Sequence, residues 1–177
     1  MTSPKKIFWL TGLSGAGKTT LADALTALLQ ENHQSATMID GDIFRKQYCQ
    51  DLGFSAQDRH ENLMRMSKHA LELSHDFDNV IVAAISPLQK SRDTIRNKLK
   101  DSYIEVFVDT PLSICEARDV KGLYAKARNG ELENFTGISS EYQRPETPDV
   151  VIAYPISIEQ ALRDISLFIQ KKYFSQY

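Results

Sequence analysis

The sequence predicts a three-layer α/β fold with a largely parallel sheet, and three observations carry that expectation. Short, continuous apolar runs recur along the chain, as strands buried on both faces require. Amphipathic segments at helical spacing separate the runs. A glycine-rich loop stands between the first run and the first helical segment, where a strand would hand over to a helix.

The apolar runs are 7–10, 37–39, 80–85, 104–108 and 150–152. After the first comes a stripe of Leu21, Leu25, Leu28 and Leu29; a second is Leu63, Met66, Ala70, Leu71 and Phe77. The last segment places Ile158, Ala161, Leu162, Ile165, Phe168 and Ile169 on one face. Each stripe is read as a core-facing surface. Segment 90–100 carries Lys90, Arg92, Arg96, Lys98 and Lys100 against Asp93, and at helical spacing it reads as a solvated helix face. Residues 119–148 break the rhythm: no strand pattern appears, and Gly122, Gly130, Gly137, Pro145 and Pro148 punctuate a polar stretch. An irregular insert of that length in a compact domain is usually a lid or binding loop.

A length of 177 residues fits one domain, 1–177, with its lid at about 119–148. The composition, 42% hydrophobic and 25% charged, excludes collagen-like, low-complexity and disordered classes. Twenty-one Lys and Arg against 23 Asp and Glu give a net charge of −2, so no global basic excess exists to grip a nucleic-acid backbone. Cys49 and Cys115 can supply neither a disulfide framework nor a four-thiolate zinc site, and are read as reduced. His33, His60, His69 and His75 show no zinc-type pairing with them. The basic start, Met1 to Lys6, precedes an apolar run of only four residues, too short for a signal peptide or a membrane span. The expectation is a soluble, cytoplasmic protein without nucleic-acid or membrane partners.

Gly12-Leu13-Ser14-Gly15-Ala16-Gly17-Lys18-Thr19 matches G-x-x-x-x-G-K-[ST] completely, and Thr20 continues into the helical pattern. Glycines let backbone N–H groups turn toward phosphate oxygens, and the following helix adds the positive end of its dipole. Lys18 places a point charge on the β/γ-phosphates, and the Thr19 hydroxyl is a Mg²⁺ ligand. The chain therefore binds a nucleoside triphosphate. Asp40-Gly41-Asp42 follows at the C-terminal end of the second run, where ligands bind in open α/β sheets. Its carboxylates can hold Mg²⁺ or take a proton from an acceptor hydroxyl; the other reading is a tight turn capping the next helix.

Across nearly its whole length the chain resembles the adenylylsulfate kinase family. The matching segments are 12–20, Asp40-Gly41-Asp42 with Arg45, 51–54, Asp58-Arg59 with Glu61-Asn62, and Ile85-Ser86-Pro87, then 107–111, 115–119, 121–124 and 134–138. The resemblance implies a three-layer P-loop kinase fold with a lid insert. The implied reaction moves the γ-phosphoryl group of ATP, with Mg²⁺, to the 3′-hydroxyl of adenylyl sulfate, a small-molecule acceptor; a homodimer is also expected. By position, Asp42 and Arg45 lie at the acceptor ribose and phosphosulfate, and Phe54 stacks on the acceptor adenine. Arg59 and Asn62 grip the phosphosulfate, Ile85 and Ser86 line the same pocket, and Lys121, Asn134 and Phe135 close over it, with Phe135 on the second adenine face. Lys18, Asp42 and Ser86 form the catalytic set, Thr19 and Asp40 the metal set, and Arg118 stacks on the adenine of ATP. Ser86 admits two readings: a phosphoserine intermediate, or a pocket contact beside direct in-line transfer oriented by Asp42. Phosphoryl transfer depends mainly on positioning and charge, which favours the second.

The chain departs from the family pattern at Ile43, where Asn is usual, and at Leu88-Gln89, where an Arg is usual second. That leaves open a related kinase for another anionic nucleotide, such as cytidine diphosphoramidate. A nucleotide switch is the other class considered, but its guanine-reading N-K-x-D motif is absent from the sequence.

Overall fold

The computed structural model describes residues 4–174; the outer limits of the expected 1–177 domain, including Met1, lie outside them. β1 (Lys6–Thr11), β2 (Ala36–Asp40), β3 (Asn79–Ala83), β4 (Tyr103–Asp109) and β5 (Val150–Ala153) form one parallel sheet in the order β2-β3-β1-β4-β5. Each expected apolar run falls within or on a strand. The run 80–85 outlasts β3 because Ile85 leaves the ladder, its carbonyl instead accepting from the Gly12 N–H at 3.4 Å.

β1 lies in the middle, fully buried, and its alternating side chains explain the unbroken apolar run. Phe8 and Leu10 join Ile81, Ile104 and Val106 on one face, against Leu21 and Leu25 of α1 (Lys18–Glu31) and Ala161 and Ile165 of α7 (Ile158–Phe174). Ile7 and Trp9 join Val80, Val82 and Tyr103 on the other, against Met66 and Ala70 of α3 (Ala56–Leu73) and Ile95 of α4 (Gln89–Leu99). Those are the three layers. Because β2 is reached across β3 and β4 lies on the opposite side of β1, the connections diverge at the C-terminal end of β1, where a crevice opens.

Some expectations need correction. Phe77 lies beyond the end of α3, Leu71 is exposed, and Ile158 is exposed at the start of α7. The face of α4 is not wholly solvated: Arg92 is only 1% exposed. It is tolerated there because Glu105 of β4, also buried, lies 3.2 Å from its Nε. Three short helices carry too few turns to announce themselves by periodicity: α2 (Gly41–Tyr48), α5 (Leu112–Arg118) and α6 (Leu123–Arg128). The last lies inside the 119–148 insert, which is otherwise irregular, with a single bridge between Thr136 and Ser140 among the described residues.

Candidate active site

The loop after β1 turns into α1 at Gly17, whose φ of +104° a residue with a side chain would resist. Gly12 answers a different demand: a Cβ there would stand 2.6 Å from the Val108 carbonyl oxygen. Lys18 folds back over the loop, donating from Nζ to the carbonyls of Gly12 at 3.0 Å and Leu13 at 2.7 Å. Burial pushes its ammonium down to about 8, with Asp42 opposing the shift. Thr19 Oγ1 donates to Asp40 Oδ2 at 3.2 Å.

Asp40 reconciles its two readings. One oxygen caps α2, accepting from the N–H groups of Asp42 at 2.9 Å and Ile43 at 3.1 Å, while the other meets Thr19. Gly41 is required by closeness, since a Cβ would lie 2.9 Å from the Ala83 carbonyl. The turn thus delivers Asp42 to the mouth of the crevice, where it is ion-paired with Lys121 from the insert.

These groups share one cleft of about 360 Å³. Its wall includes Ser14, Gly15, Gly17, Lys18, Thr19 and Thr20 on the phosphate-loop side. Opposite lie Asp40, Asp42, Arg45, Phe54, Arg59, Asn62, Ile85 and Ser86, with Arg118 and Lys121 closing it. Five cations (Lys18, Arg45, Arg59, Arg118, Lys121) face two carboxylates (Asp40, Asp42) there, in a chain whose net charge is −2. A cleft so charged suits polyanionic ligands.

Phe54 is 59% exposed, unusual for a large apolar ring, and two guanidiniums lie over it: Arg45 at 4.4 Å and Arg59 at 5.9 Å from the centroid. Burial, and then the charge of Arg45, hold the Arg59 guanidinium below its usual range, so an anion between the two would relieve both. Ser55 and Asp58 form a reciprocal capping box that starts α3 beside them. Asn62 is 8% exposed, and its Oδ1 has no hydrogen-bond partner within the described chain. A buried carbonyl oxygen facing a cleft without a donor asks for one from a ligand.

Several expected residues lie elsewhere. Gly12, Leu13 and Ala16 support the loop from behind the cleft wall; Ala16 and Leu13 open instead onto neighbouring cavities. Asn134 and Phe135, expected over the acceptor, are not among the residues that line the cleft. Asn134 offers its backbone carbonyl to Arg59, and Phe135 packs edge-on against Tyr124 at 5.0 Å, anchoring the insert to the apolar core. Burying an apolar ring against the Tyr124 edge is the stable place for it when the insert folds down. Arg118 stands between two cavities; its Nη1 donates to the Gly15 carbonyl at 3.2 Å and its guanidinium lies 5.4 Å from the Tyr154 ring centroid. Ile43 and Gln89, the two departures, are absent from the cleft wall. Gln89 accepts from Arg92 Nη2 at 2.5 Å instead. Sequence reasoning missed Trp9, Arg92 and Tyr142, which brace the wall from behind; their only signals were an apolar run, a charge run and a loop.

The family model described as adenylylsulphate kinase matches residues 5–153. An adenylyl-sulfate kinase of Paraburkholderia xenovorans is 48% identical over 146 residues, 82% of this chain and 82% of that protein. A Mycobacterium tuberculosis APS kinase, solved in complex with AMPPNP and APS, superposes with a TM-score of 0.89 at 43% identity, over 96% of this chain and 99% of that one. A hexameric APS kinase from Thiobacillus denitrificans gives 0.70 at 27% identity, over 97% of this chain and 30% of that one.

Proposed function

The chain belongs to the adenylylsulphate kinase family, and from that premise we propose how its residues move the γ-phosphoryl group of ATP to the 3′-hydroxyl of adenylyl sulfate, giving 3′-phosphoadenylyl sulfate and ADP. The observation that carries the reading is a single cleft with a complete phosphate loop on one wall and a carboxylate, two arginines and an exposed aromatic ring on the other. Lys18 and the loop amides hold the ATP phosphates; Arg118 takes the adenine of ATP beside Tyr154. Phe54 stacks on the acceptor adenine, and Arg45 and Arg59 grip the phosphosulfate with their planar forks. Asp42 orients the 3′-hydroxyl and accepts its proton as the oxygen attacks phosphorus and the ADP oxygen leaves in line. Lys121, paired with Asp42 before substrates arrive, is placed to follow the charge onto the transferring phosphoryl group.

Thr19 Oγ1 and Asp40 Oδ2 converge within 3.2 Å, hard oxygen donors that fit Mg²⁺ and leave its remaining positions to phosphate oxygens and water. Bound there, Mg²⁺ would neutralise phosphate charge. Ser86 is read as a pocket contact rather than a nucleophile, because the partner of its hydroxyl oxygen is the Trp9 indole N–H, a donor and not a base.

The test is ADP formation by purified protein with a panel of acceptors. Adenylyl sulfate at micromolar concentration is expected to stimulate it, and cytidine-based acceptors to leave it at background. No response to adenylyl sulfate sinks the reading. Two further expectations belong to the same proposal. Free, buried cysteines support a cytoplasmic setting. The hexameric relative supports self-association, read here as a homodimer and checked by light scattering.

A further inference from the structure

Ser86 is 1% exposed and sits at φ +49°, a left-handed conformation that a residue with a side chain adopts only when its surroundings impose it. Two fully buried donors impose it here. Trp9 Nε1, at the end of a central-strand side chain, donates to Ser86 Oγ at 2.8 Å. Arg92 Nη1 donates to the Ser86 carbonyl at 2.6 Å, while its Nη2 reaches the Gln143 carbonyl at 2.7 Å. Arg92 is itself fixed by Glu105, also buried, at 3.2 Å. On the other side of the turn, Thr11 Oγ1 donates its single proton to the Ile85 carbonyl at 2.6 Å, so Tyr142 donates to Thr11 at 2.9 Å.

We propose that Trp9 and Arg92 are positioning residues for the acceptor: their buried N–H groups hold Ser86 in its left-handed turn and commit its hydroxyl oxygen as an acceptor, so that its O–H is left to donate into the acceptor side of the cleft. An indole N–H can only donate, which settles the direction of that bond. Because Arg92 also grips the carbonyl of Gln143, the returning end of the insert is tied to the same turn. Neither Trp9 nor Arg92 lines the cleft. Their loss should therefore be felt by one substrate and not the other. The inference rests on the reading that the acceptor is adenylyl sulfate.

The full chain carrying Trp9→Phe, which keeps an aromatic ring and removes the N–H, is compared with wild type. A second variant, Arg92→Lys, keeps the charge opposite Glu105 but loses the fork. ADP formation is followed with each substrate varied at saturating levels of the other. In each variant the KM for adenylyl sulfate is expected to rise about 5-fold or more, the scale of one lost hydrogen bond, with the KM for ATP within about twofold. Both KM values unchanged, or both rising together, overturn the proposal. The wild type supplies a check that needs no variant to fold: Trp9 is the chain's single tryptophan, so saturation with adenylyl sulfate should change its emission. An emission unchanged while the acceptor saturates turnover also overturns it. Wild-type protein with no acceptor-dependent ADP formation strikes the acceptor reading instead, and the inference falls with it.

Discussion

Lys18 shows how burial and function pull on one side chain. Its ammonium is buried, hydrogen-bonded to two carbonyls, and held near 8 rather than at its ordinary 10.5. In the free protein its charge is lost as pH rises through about 8, while bound phosphates would restore it. The expected outcome is a kcat/KM for ATP that falls with a midpoint near pH 8 and a kcat at saturating ATP that stays flatter. Unfolding does not explain such a loss: between about 8 and 10.5 the unfolded chain holds the extra proton, so this group makes the fold more stable as pH rises. Initial rates against ATP from pH 6.5 to 9.5 check it. The two thiols contrast with this. Burial pushes both Cys49 and Cys115 up, which keeps them protonated and unreactive. The loop residues and both carboxylates of Asp40-Gly41-Asp42 were legible as chemistry because spacing alone brings them together. The contact of Phe135 with Tyr124 was not, because it depends on where the insert folds down.

Helix α3 turns one element into half of the acceptor wall. It begins at Ser55, whose hydroxyl accepts from the Asp58 N–H at 3.1 Å and donates to the Asp58 carboxylate at 2.7 Å. Phe54 precedes that cap, and Arg59 and Asn62 follow on the first turns, so the register of the helix start decides where all three point. Ser55→Ala is expected to cost about 1 kcal/mol and lower the unfolding midpoint by roughly 2–4 °C, measured by thermal melting. A melt unchanged within error would mean that the cap does not hold this end. The long helices α1, α3 and α7 were readable from their apolar stripes. The short α2, α5 and α6 were not, since fewer than three turns give too little periodicity; α2 starts on the Asp40 carboxylate and α6 on that of Asp119, while α5 has no side-chain cap.

At the scale of the molecule, the buried pair between α4 and β4 joins parts far apart in the chain. Glu105 meets Arg92 at 3.2 Å and Arg96 at 3.2 Å, and Arg96 reaches Asp149 at 3.0 Å just ahead of β5. Burial pushes the Glu105 carboxyl up and the two arginines pull it back. Removing the carboxylate leaves a guanidinium with 1% exposure uncompensated. Glu105→Gln is expected to lose about 3–5 kcal/mol in urea unfolding, with the slope against urea unchanged. A loss below about 1 kcal/mol would show that solvent reaches Arg92.

Continuous apolar runs and local spacing were enough to read the strands, the long helices and the phosphate loop, because each depends on residues within a few positions of one another. Folding alone decided what Arg92 is: in a run of lysines and arginines it looks solvated, yet it points inward because a glutamate 13 positions later lies on the neighbouring strand. The left-handed turn at Ser86 and the anchoring of the insert by Phe135 belong to the same class. Ser86 depends on Trp9, 77 positions away, and Phe135 on the apolar core it packs against, and the free energy of burying or pairing those side chains exists only once the sheet has brought them together.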